Sequence, residues 1–122
     1  MIPAKRGKVF YLDTCSTCKR IIREMDADGR GFILLDIRSS PISSDQLEEL
    51  KKKAGSYQAL FNRRSRKFRQ MGLQDKVLGE KDYRDLILKE DTFLKRPVIL
   101  LNDLIFAGSD KKTLNELRKA LS

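Results

Sequence analysis

Histidine is absent from this sequence of 122 residues, and cysteine occurs only twice. Structural zinc takes four ligands, mostly thiolate or imidazole, so this chain supplies at most half of such a site. A zinc site shared between two chains is the one zinc-binding alternative that stays open. The chain also has no apolar run near the roughly 20 residues that a membrane helix requires, and its positively charged N-terminus lacks the apolar core of a secretory signal. We therefore expect a cytoplasmic protein with no bound metal or organic cofactor and no membrane partner.

The chain also lacks repeats, low-complexity segments and an obvious linker, so its length predicts a single domain over residues 1–122. Its formal charge of +9 favours anionic partners. Basic residues are densest at residues 62–69, where five of eight side chains are positive. This block fits phosphate, a nucleic acid backbone or an acidic protein surface, and equally a solvated helix face. We expect no direct nucleic acid binding, because the neighbouring aromatic residues have the spacing of core residues.

The most informative motif is Cys15-Ser16-Thr17-Cys18, which follows the apolar run at residues 9–12 and begins a segment with apolar residues at helical spacing. A cysteine at the start of a helix lies among unpaired backbone N–H groups and the positive end of the helix dipole, which favour the thiolate. The second cysteine is one turn away and suits attack on a mixed disulfide. We expect Cys15 to attack and Cys18 to resolve. A structural disulfide is the alternative, although so short a loop restricts the unfolded chain little.

The first third of the chain predicts a strand, a helix and a second strand. A β-rich run covers residues 8–12, and an amphipathic helix follows from residue 15 to about residue 27, closed by Gly29 and Gly31. Residues 32–37 are nearly continuous in apolar side chains, which favours a strand covered on both faces. A crossover of this length predicts a right-handed βαβ unit with parallel strands.

The middle of the chain predicts helices and no strand. Ser43 and Gln46 have the spacing of a capping box, and the helix that they begin ends before Gly55. The pattern stays helical over residues 56–92, with a break at Gly72.

The last quarter predicts an antiparallel hairpin and a final helix. Two apolar runs, at residues 97–101 and 104–107, flank an Asn102-Asp103 turn, and Ser109 or Asp110 then caps the helix. The complete order is therefore β-α-β, a helical block and β-β-α. This order predicts an α/β protein of thioredoxin-like fold, with a mixed four-stranded sheet and a helical lobe inserted around residues 43–92.

Three blocks of this sequence resemble the glutaredoxin-type arsenate reductase family and its relatives, which include the Spx group of redox-responsive transcription regulators. The blocks are residues 11–20 (YLDTCSTCKR), residues 60–69 (LFNRRSRKFR) and residues 94–101 (LKRPVILL), with a later Ala107-Gly108. The resemblance covers nearly the whole chain and implies one thioredoxin-like domain of this family.

The resemblance implies that Cys15 attacks an oxyanion, that Arg96 binds it, and that a cis peptide bond before Pro97 brings Arg96 beside the sulfur. The chemistry agrees, because a guanidinium offers a fork of donors to an oxyanion and its charge stabilises a thiolate. From the residues alone, a surface position for Arg96 stays open. Thr14 either donates a hydroxyl near the sulfur or caps the helix.

The resemblance also implies an anion-binding arginine in the middle block. The aligned residue there is Asn62, and the candidates are its neighbours Arg63 and Arg64. Where the arsenate-reducing members carry a further arginine, this chain has Gly108-Ser109-Asp110, and we expect weaker arsenate turnover. Many of the reductases also have a single cysteine in this loop. The second cysteine of this chain, Cys18, is a feature that resembles the Spx group.

Two functional hypotheses follow. The first is a thiol-dependent oxidoreductase that acts on a small oxyanion or a disulfide and takes electrons from glutathione with glutaredoxin, or from thioredoxin. The second, implied by the Spx resemblance, is a redox-sensing regulator that binds RNA polymerase and uses the Cys15–Cys18 disulfide as a switch.

Overall fold

The computed structural model describes residues 7–121; the charged N-terminal stretch, residues 1–6, lies outside the described residues, as does residue 122. The chain divides into two compact units. The first contains the described residues up to Ser40 and those from Arg96 onward, and the second contains Pro41–Lys95.

The first unit contains a four-stranded mixed sheet. Its strands are β1 (Gly7–Tyr11), β2 (Ile33–Asp36), β3 (Val98–Leu101) and β4 (Leu104–Ala107), in the order β2-β1-β3-β4. Strand β1 is parallel to β2 and antiparallel to β3, and β3 is antiparallel to β4. This is the predicted thioredoxin-like arrangement, including the βαβ unit and the hairpin.

Helices α1 (Ser16–Glu24) and α5 (Lys111–Leu121) supply side chains to the core of the first unit. Alternate residues of a strand share one face of a sheet, so Val9 of β1 and Ile99 of β3 lie side by side and face the same layer. They pack with other buried residues from the helices, the loops and β4: Ile21, Met25, Ala27, Phe32, Phe106 and Leu117.

Helix α1 ends earlier than its sequence predicts. The expectation of a helix to about residue 27, closed by Gly29 and Gly31, is wrong because Asp26 adopts a left-handed conformation with φ 52°. The N–H of Asp26 donates to the Arg23 carbonyl at 3.1 Å, and that of Ala27 donates to the Ile22 carbonyl at 3.1 Å. These two bonds form a Schellman motif, which usually places glycine where Asp26 stands.

Strand β2 also differs from its prediction as a strand covered on both faces. It is an edge strand, with the side chains of Ile33 and Leu34 54% and 37% exposed. A continuous apolar run does not distinguish a central strand from an edge strand, because the pattern does not record the order of strands in the sheet.

The second unit is helical, as predicted. It contains α2 (Ser44–Ala54), α3 (Arg66–Gln70) and α4 (Glu80–Lys89), with short 3₁₀ turns at Gln58–Leu60, Leu73–Asp75 and Asp91–Phe93. The predicted capping box is present: Ser43 Oγ accepts from the Gln46 N–H at 3.1 Å, and Gln46 Oε1 accepts from the Ser43 N–H at 2.9 Å. Gly55 ends the helix with φ 98°. The described residues of this unit contain one isolated antiparallel bridge, between Phe61 and Leu94, and no strand.

Phe61 is the centre of an aromatic cluster in the second unit. Its ring stacks on Phe93 with centroids 5.1 Å apart and contacts the rings of Tyr83 and Phe68 at 4.9 and 5.9 Å. All four side chains are buried. Phe61 and Phe68 are therefore core residues, as their spacing predicts, and do not form a platform on which bases stack.

Arg30 connects two helix ends in the first unit, and its removal is expected to destabilise the fold. Its Nε donates to the Met25 carbonyl at 2.8 Å and its Nη1 to the Leu121 carbonyl at 3.3 Å. We expect Arg30→Met to lower the free energy of unfolding by about 1 kcal/mol, because each bond contributes modestly and lies partly in solvent. Urea denaturation measures the change, with Lys112→Met at an exposed position as the control. Equal stability of the two variants would contradict a role for these bonds.

Candidate functional site

Cys15 lies where β1 gives way to α1. Its backbone N–H donates to the Leu12 carbonyl at 3.0 Å, which turns the chain at the carboxyl end of the strand. Cys15 is then the N-cap of α1, and its Sγ accepts a hydrogen bond from the Cys18 N–H at 3.3 Å. The predicted position of this sulfur at a helix N-terminus is confirmed, so an otherwise unpaired N–H of the first turn is directed at it.

The surroundings of Cys15 favour its thiolate. Burial raises the pKa of the Cys15 thiol, but hydrogen bonds from the Cys18 side chain and backbone lower it, and the charge and hydrogen bonding of Arg96 lower it further. The sum leaves this pKa below the usual thiol value. The residue is only partly buried, so part of it is accessible from solvent. A lowered pKa combined with access is what a nucleophilic cysteine requires.

Cys18 has the opposite character. It is buried with 0% of its side chain exposed. Burial, together with the neighbouring Cys15, raises the pKa of the Cys18 thiol to about 12. Cys18 is therefore held protonated at neutral pH, while the pKa of Cys15 is shifted toward the thiolate. This division of roles is the one that an attacking and a resolving thiol need.

Arg96 and Pro97 come to this position through the register of the sheet. Phe10 of β1 pairs with Val98 of β3, so the residues that follow β1 lie beside those that precede β3. The peptide bond between Arg96 and Pro97 is cis, as the resemblance implies. Two nitrogens of the Arg96 guanidinium are buried, and its charge and hydrogen bonding lower the pKa of Cys15, so Arg96 is more than a surface residue that precedes a strand.

The guanidinium of Arg96 has unused donors. Its Nε and Nη1 atoms are buried and have no hydrogen-bond partner among the described residues. Leaving buried donors of a charged group unpaired is costly, commonly more than 1 to 3 kcal/mol, and an anion or another oxygen acceptor would relieve this cost. Arg96 therefore lowers the pKa of the Cys15 thiol while two of its own guanidinium nitrogens stay without a partner among the described residues.

Other charges near the cysteine loop are paired on the surface. Lys19 Nζ lies 3.7 Å from an Asp13 oxygen, and Arg20 Nη1 lies 3.4 Å from a Glu24 oxygen. All four side chains are about half exposed or more, so each pair contributes little to stability. These pairs leave less positive potential around the sulfur than the sequence Cys-Lys-Arg indicates.

Thr14 is exposed and contacts a residue that sequence reasoning missed. Its Oγ1 accepts from Arg38 Nη1 at 3.4 Å, and Cys15 rather than Thr14 caps the helix. The signal for Arg38 is its place two residues after β2, since the carboxyl ends of the parallel strands β1 and β2 meet at one edge of the sheet. The structure thus gathers Cys15, Cys18, Arg96, Pro97 and Thr14 in the first unit.

The turn between β4 and α5 is fastened to the proline loop. The Gly108 N–H donates to the Pro97 carbonyl at 2.9 Å. The next residue, Ser109, is exposed, and Asp110 caps α5 by accepting from the Thr113 N–H at 3.2 Å. Asp110 is therefore the cap among the two predicted candidates.

The predicted residues of the middle block belong to the second unit, and their contacts separate their roles. Asn62 is occupied, because its Nδ2 donates to the Thr92 carbonyl at 3.1 Å and its Oδ1 accepts from the Arg64 N–H at 3.1 Å. Arg63 Nη2 donates to Tyr83 Oη at 2.7 Å. The Arg64 side chain is exposed. Asn62 thus organises the loop that carries the two arginines.

Within residues 7–121, no cluster of three or more acidic, cysteine or histidine side chains is arranged to hold a metal ion. None of the helices in that range is long and apolar enough to cross a membrane.

The model of the ArsC family matches residues 10–117 of the chain. Among curated proteins, none matches the sequence. Solved structures share the fold at low identity. A protein named YffB has a TM-score of 0.80 and 22% identity, over 95% of this chain and 99% of its own. An arsenate reductase from Vibrio cholerae has a TM-score of 0.77 and 14% identity, over 95% and 98%. An arsenate reductase related protein from Brucella melitensis has 0.71 and 18%, over 98% and 99%.

Proposed function

The chain belongs to the ArsC family, and from this premise we propose that it is a thiol-dependent oxidoreductase with Cys15 as its nucleophile. The observation that carries the proposal is the pairing of a partly accessible, low-pKa sulfur with a buried guanidinium that has unused N–H groups. A structural cysteine needs neither the lowered pKa nor the free donors.

In the proposed reaction the Cys15 thiolate attacks the electrophilic atom of the substrate. Arg96 stabilises the thiolate beforehand, and the charge of its guanidinium then stabilises an oxygen of the bound substrate, which is an oxyanion in an arsenate-reducing member of the family. Cys18 then attacks the Cys15 adduct and releases the reduced product, leaving a Cys15–Cys18 disulfide. Glutathione with glutaredoxin, or thioredoxin, returns this disulfide to the dithiol.

The remaining predicted substrate contacts are part of the same proposal. Thr14, which precedes the reacting cysteine, is exposed, whereas Pro97, which follows Arg96, is fully buried, so Thr14 is the better candidate of the two for a direct substrate contact. Of the two middle-block arginines, Arg64 is the better anion ligand, because the Arg63 guanidinium already donates to Tyr83.

A second candidate function is a redox-sensing regulator that binds an acidic surface of a protein such as RNA polymerase. It is favoured by the exposed side chains of Arg64, Arg66 and Arg69, a basic surface on the second unit. In this role the Cys15–Cys18 disulfide reports oxidation, and turnover is absent. The two candidate functions differ in turnover: an enzyme is oxidised by its substrate and reduced again many times, whereas a regulator is not a catalyst.

Coupled consumption of NADPH tests the enzyme directly. The assay supplies arsenate or a small disulfide to the reduced protein, in parallel with glutathione and glutaredoxin or with thioredoxin and its reductase. We expect sustained turnover above the rate of the couple alone with at least one electrophile and one couple, and only the rate of the couple alone with Cys15→Ser, because the serine hydroxyl does not ionise at neutral pH. A wild-type protein that adds nothing to the rate of either couple with either electrophile would reject the enzyme and favour the regulator.

A further inference from the structure

We infer that a cavity lined by α1, α5 and the turn after α1 binds a small amphipathic carboxylate, an aliphatic chain of about eight carbons that ends in one negative charge. The cavity has a volume of about 290 Å³ and lies in the first unit. The inference comes from the order of apolar and charged side chains along its depth, from the contacts of one arginine at its mouth, and from its size.

The deepest part of the cavity is apolar. Ile21, Met25 and Leu117 line it, belong to the core of the first unit, and are only 3%, 6% and 3% exposed. Leu114 and Leu121 also line it and are only partly buried, so they are accessible to a ligand. An aliphatic chain that packs against these side chains leaves water, and each methylene group that it buries strengthens binding about fourfold.

The mouth of the cavity is charged, and its charge is positive in sum. Glu24, Arg30 and Arg118 line the cavity and are exposed. The single carboxylate among them, that of Glu24, lies 3.4 Å from Arg20 Nη1 and is therefore already paired with a cation outside the lining. A ligand with an apolar body and an anionic end thus complements the lining from floor to mouth.

Arg30 is held in a position to receive the anionic end. Its Nε donates to the Met25 carbonyl at 2.8 Å and its Nη1 to the Leu121 carbonyl at 3.3 Å. Both of these acceptors are neutral, so neither balances the charge of the guanidinium. The exposed side chain has further N–H groups from which a carboxylate can accept. Because these bonds already fix the guanidinium, little side-chain freedom is lost when a ligand binds.

The size of the cavity limits the ligand. A volume of 290 Å³ is at the lower end for small-molecule sites, which suits a ligand of about ten non-hydrogen atoms. Octanoate has this size, and its chain reaches the floor while its carboxylate stays at the mouth.

The cavity is separate from the cysteine pair. Neither Cys15, Cys18 nor Arg96 lines it. Ile21 follows Cys15 by six residues, which is about 9 Å along a helix axis. The inference therefore does not depend on the thiol chemistry, and a ligand in the cavity should leave the rate of Cys15 alkylation by iodoacetamide unchanged.

Titration of the reduced, full-length protein with octanoate tests the inference, with backbone amide NMR as the measurement. We expect saturable shifts concentrated at residues 21–30 and 114–121. The controls are butanoate, which has the same charge on a shorter chain, and octylammonium, which has the opposite charge. We expect octanoate to bind at least about tenfold more tightly than either, because buried methylene groups and one charge-assisted contact each contribute at least this factor.

Three results of this titration would overturn the inference. Butanoate that binds as tightly as octanoate would show only general attraction of anions to a protein of charge +9. Octylammonium that binds as tightly would show that the arginines do not select the ligand. Octanoate shifts centred on the Cys15 loop, or octanoate that slows Cys15 alkylation, would place the anion at the thiol site instead.

Leu114→Trp and Leu114→Met test the place of binding. The larger indole ring should fill the cavity and abolish the octanoate shifts at residues 21–30, whereas methionine has nearly the volume of leucine and should retain them. Urea denaturation shows whether each variant is folded. A folded Leu114→Trp protein that binds octanoate as the wild type does would contradict the inference.

Arg30→Gln and Lys112→Gln test the charge at the mouth and do not depend on filling the cavity. Each variant removes one positive charge, so the general attraction of anions falls equally in both. We expect Arg30→Gln to weaken octanoate binding about tenfold and Lys112→Gln, at an exposed position outside the lining, to leave it nearly unchanged. Equal affinities of these two variants for octanoate would overturn the role of Arg30 and, with it, the inference.

Discussion

Substitution of Cys15 with serine is expected to reduce the rate of reaction with any electrophile by at least about a thousandfold, since removal of an attacking nucleophile leaves only binding and electrostatic effects. Cys18 cannot replace it, because that thiol is fully buried and its pKa is raised to about 12. The measurement is the single-turnover rate with glutathione disulfide or arsenate, followed by mass spectrometry of the protein. The folded state is checked by urea denaturation, where the small isosteric change should have little effect.

Substitution of Cys18 with serine is the matched control, and it separates attack from resolution. Cys15 remains, and its Sγ still accepts from the backbone N–H at position 18, so the first attack should continue. The adduct on Cys15 then has no internal thiol to resolve it, and a mixed disulfide with glutathione should accumulate until external thiol is added. A Cys18→Ser protein that loses the reaction without forming an adduct would contradict the resolving role. A Cys15→Ser protein that retains the reaction would contradict the nucleophilic role.

Local rules predicted much of the fold because its signals lie within a few residues. The capping box of Ser43 and Gln46 and the Asn102 turn, with φ 57°, each depend on neighbouring residues, and both are observed. The end of α1 was not predictable in this way, because Asp26 takes the left-handed conformation that glycine usually takes. The exposure of β2 was not predictable either, since the order of strands depends on residues far apart in the chain.

The residues of the candidate site likewise fall into those that the local sequence predicts and those that depend on residues far apart in the chain. The two cysteines lie on one helical turn, so their motif alone predicts a thiol at the helix N-terminus with a second thiol beside it. Arg96 is 81 residues from Cys15 in the sequence, and only the family resemblance suggested their proximity. Arg38 and the bond from Gly108 to Pro97 were missed, because both arise from the pairing of strands.

Substitution of Arg96 with glutamine is expected to move the reactivity of Cys15 to higher pH. The pKa of this thiol lies below its usual value, and the charge and hydrogen bonding of Arg96 are among the causes, whereas burial of the sulfur acts in the opposite direction. Without the guanidinium the pKa rises, so a smaller fraction of the protein carries a thiolate at neutral pH and a larger fraction is recovered as the pH increases. The rate of alkylation by iodoacetamide, measured as a function of pH, reports this midpoint directly.

Arg96→Gln should also slow the reaction with glutathione disulfide at neutral pH, by about tenfold to a hundredfold, because it removes both a thiolate-stabilising charge and donors to the substrate. Arg96→Lys is the matched control. It keeps the charge but lacks the fork of donors, so its alkylation profile should stay near that of the wild type while its substrate reaction remains slow. Neither variant should be strongly destabilised, because Nε and Nη1 of Arg96 make no hydrogen bond to the described residues that would be lost. An alkylation midpoint unchanged in Arg96→Gln would show that the helix N-terminus and Cys18 alone sustain the thiolate.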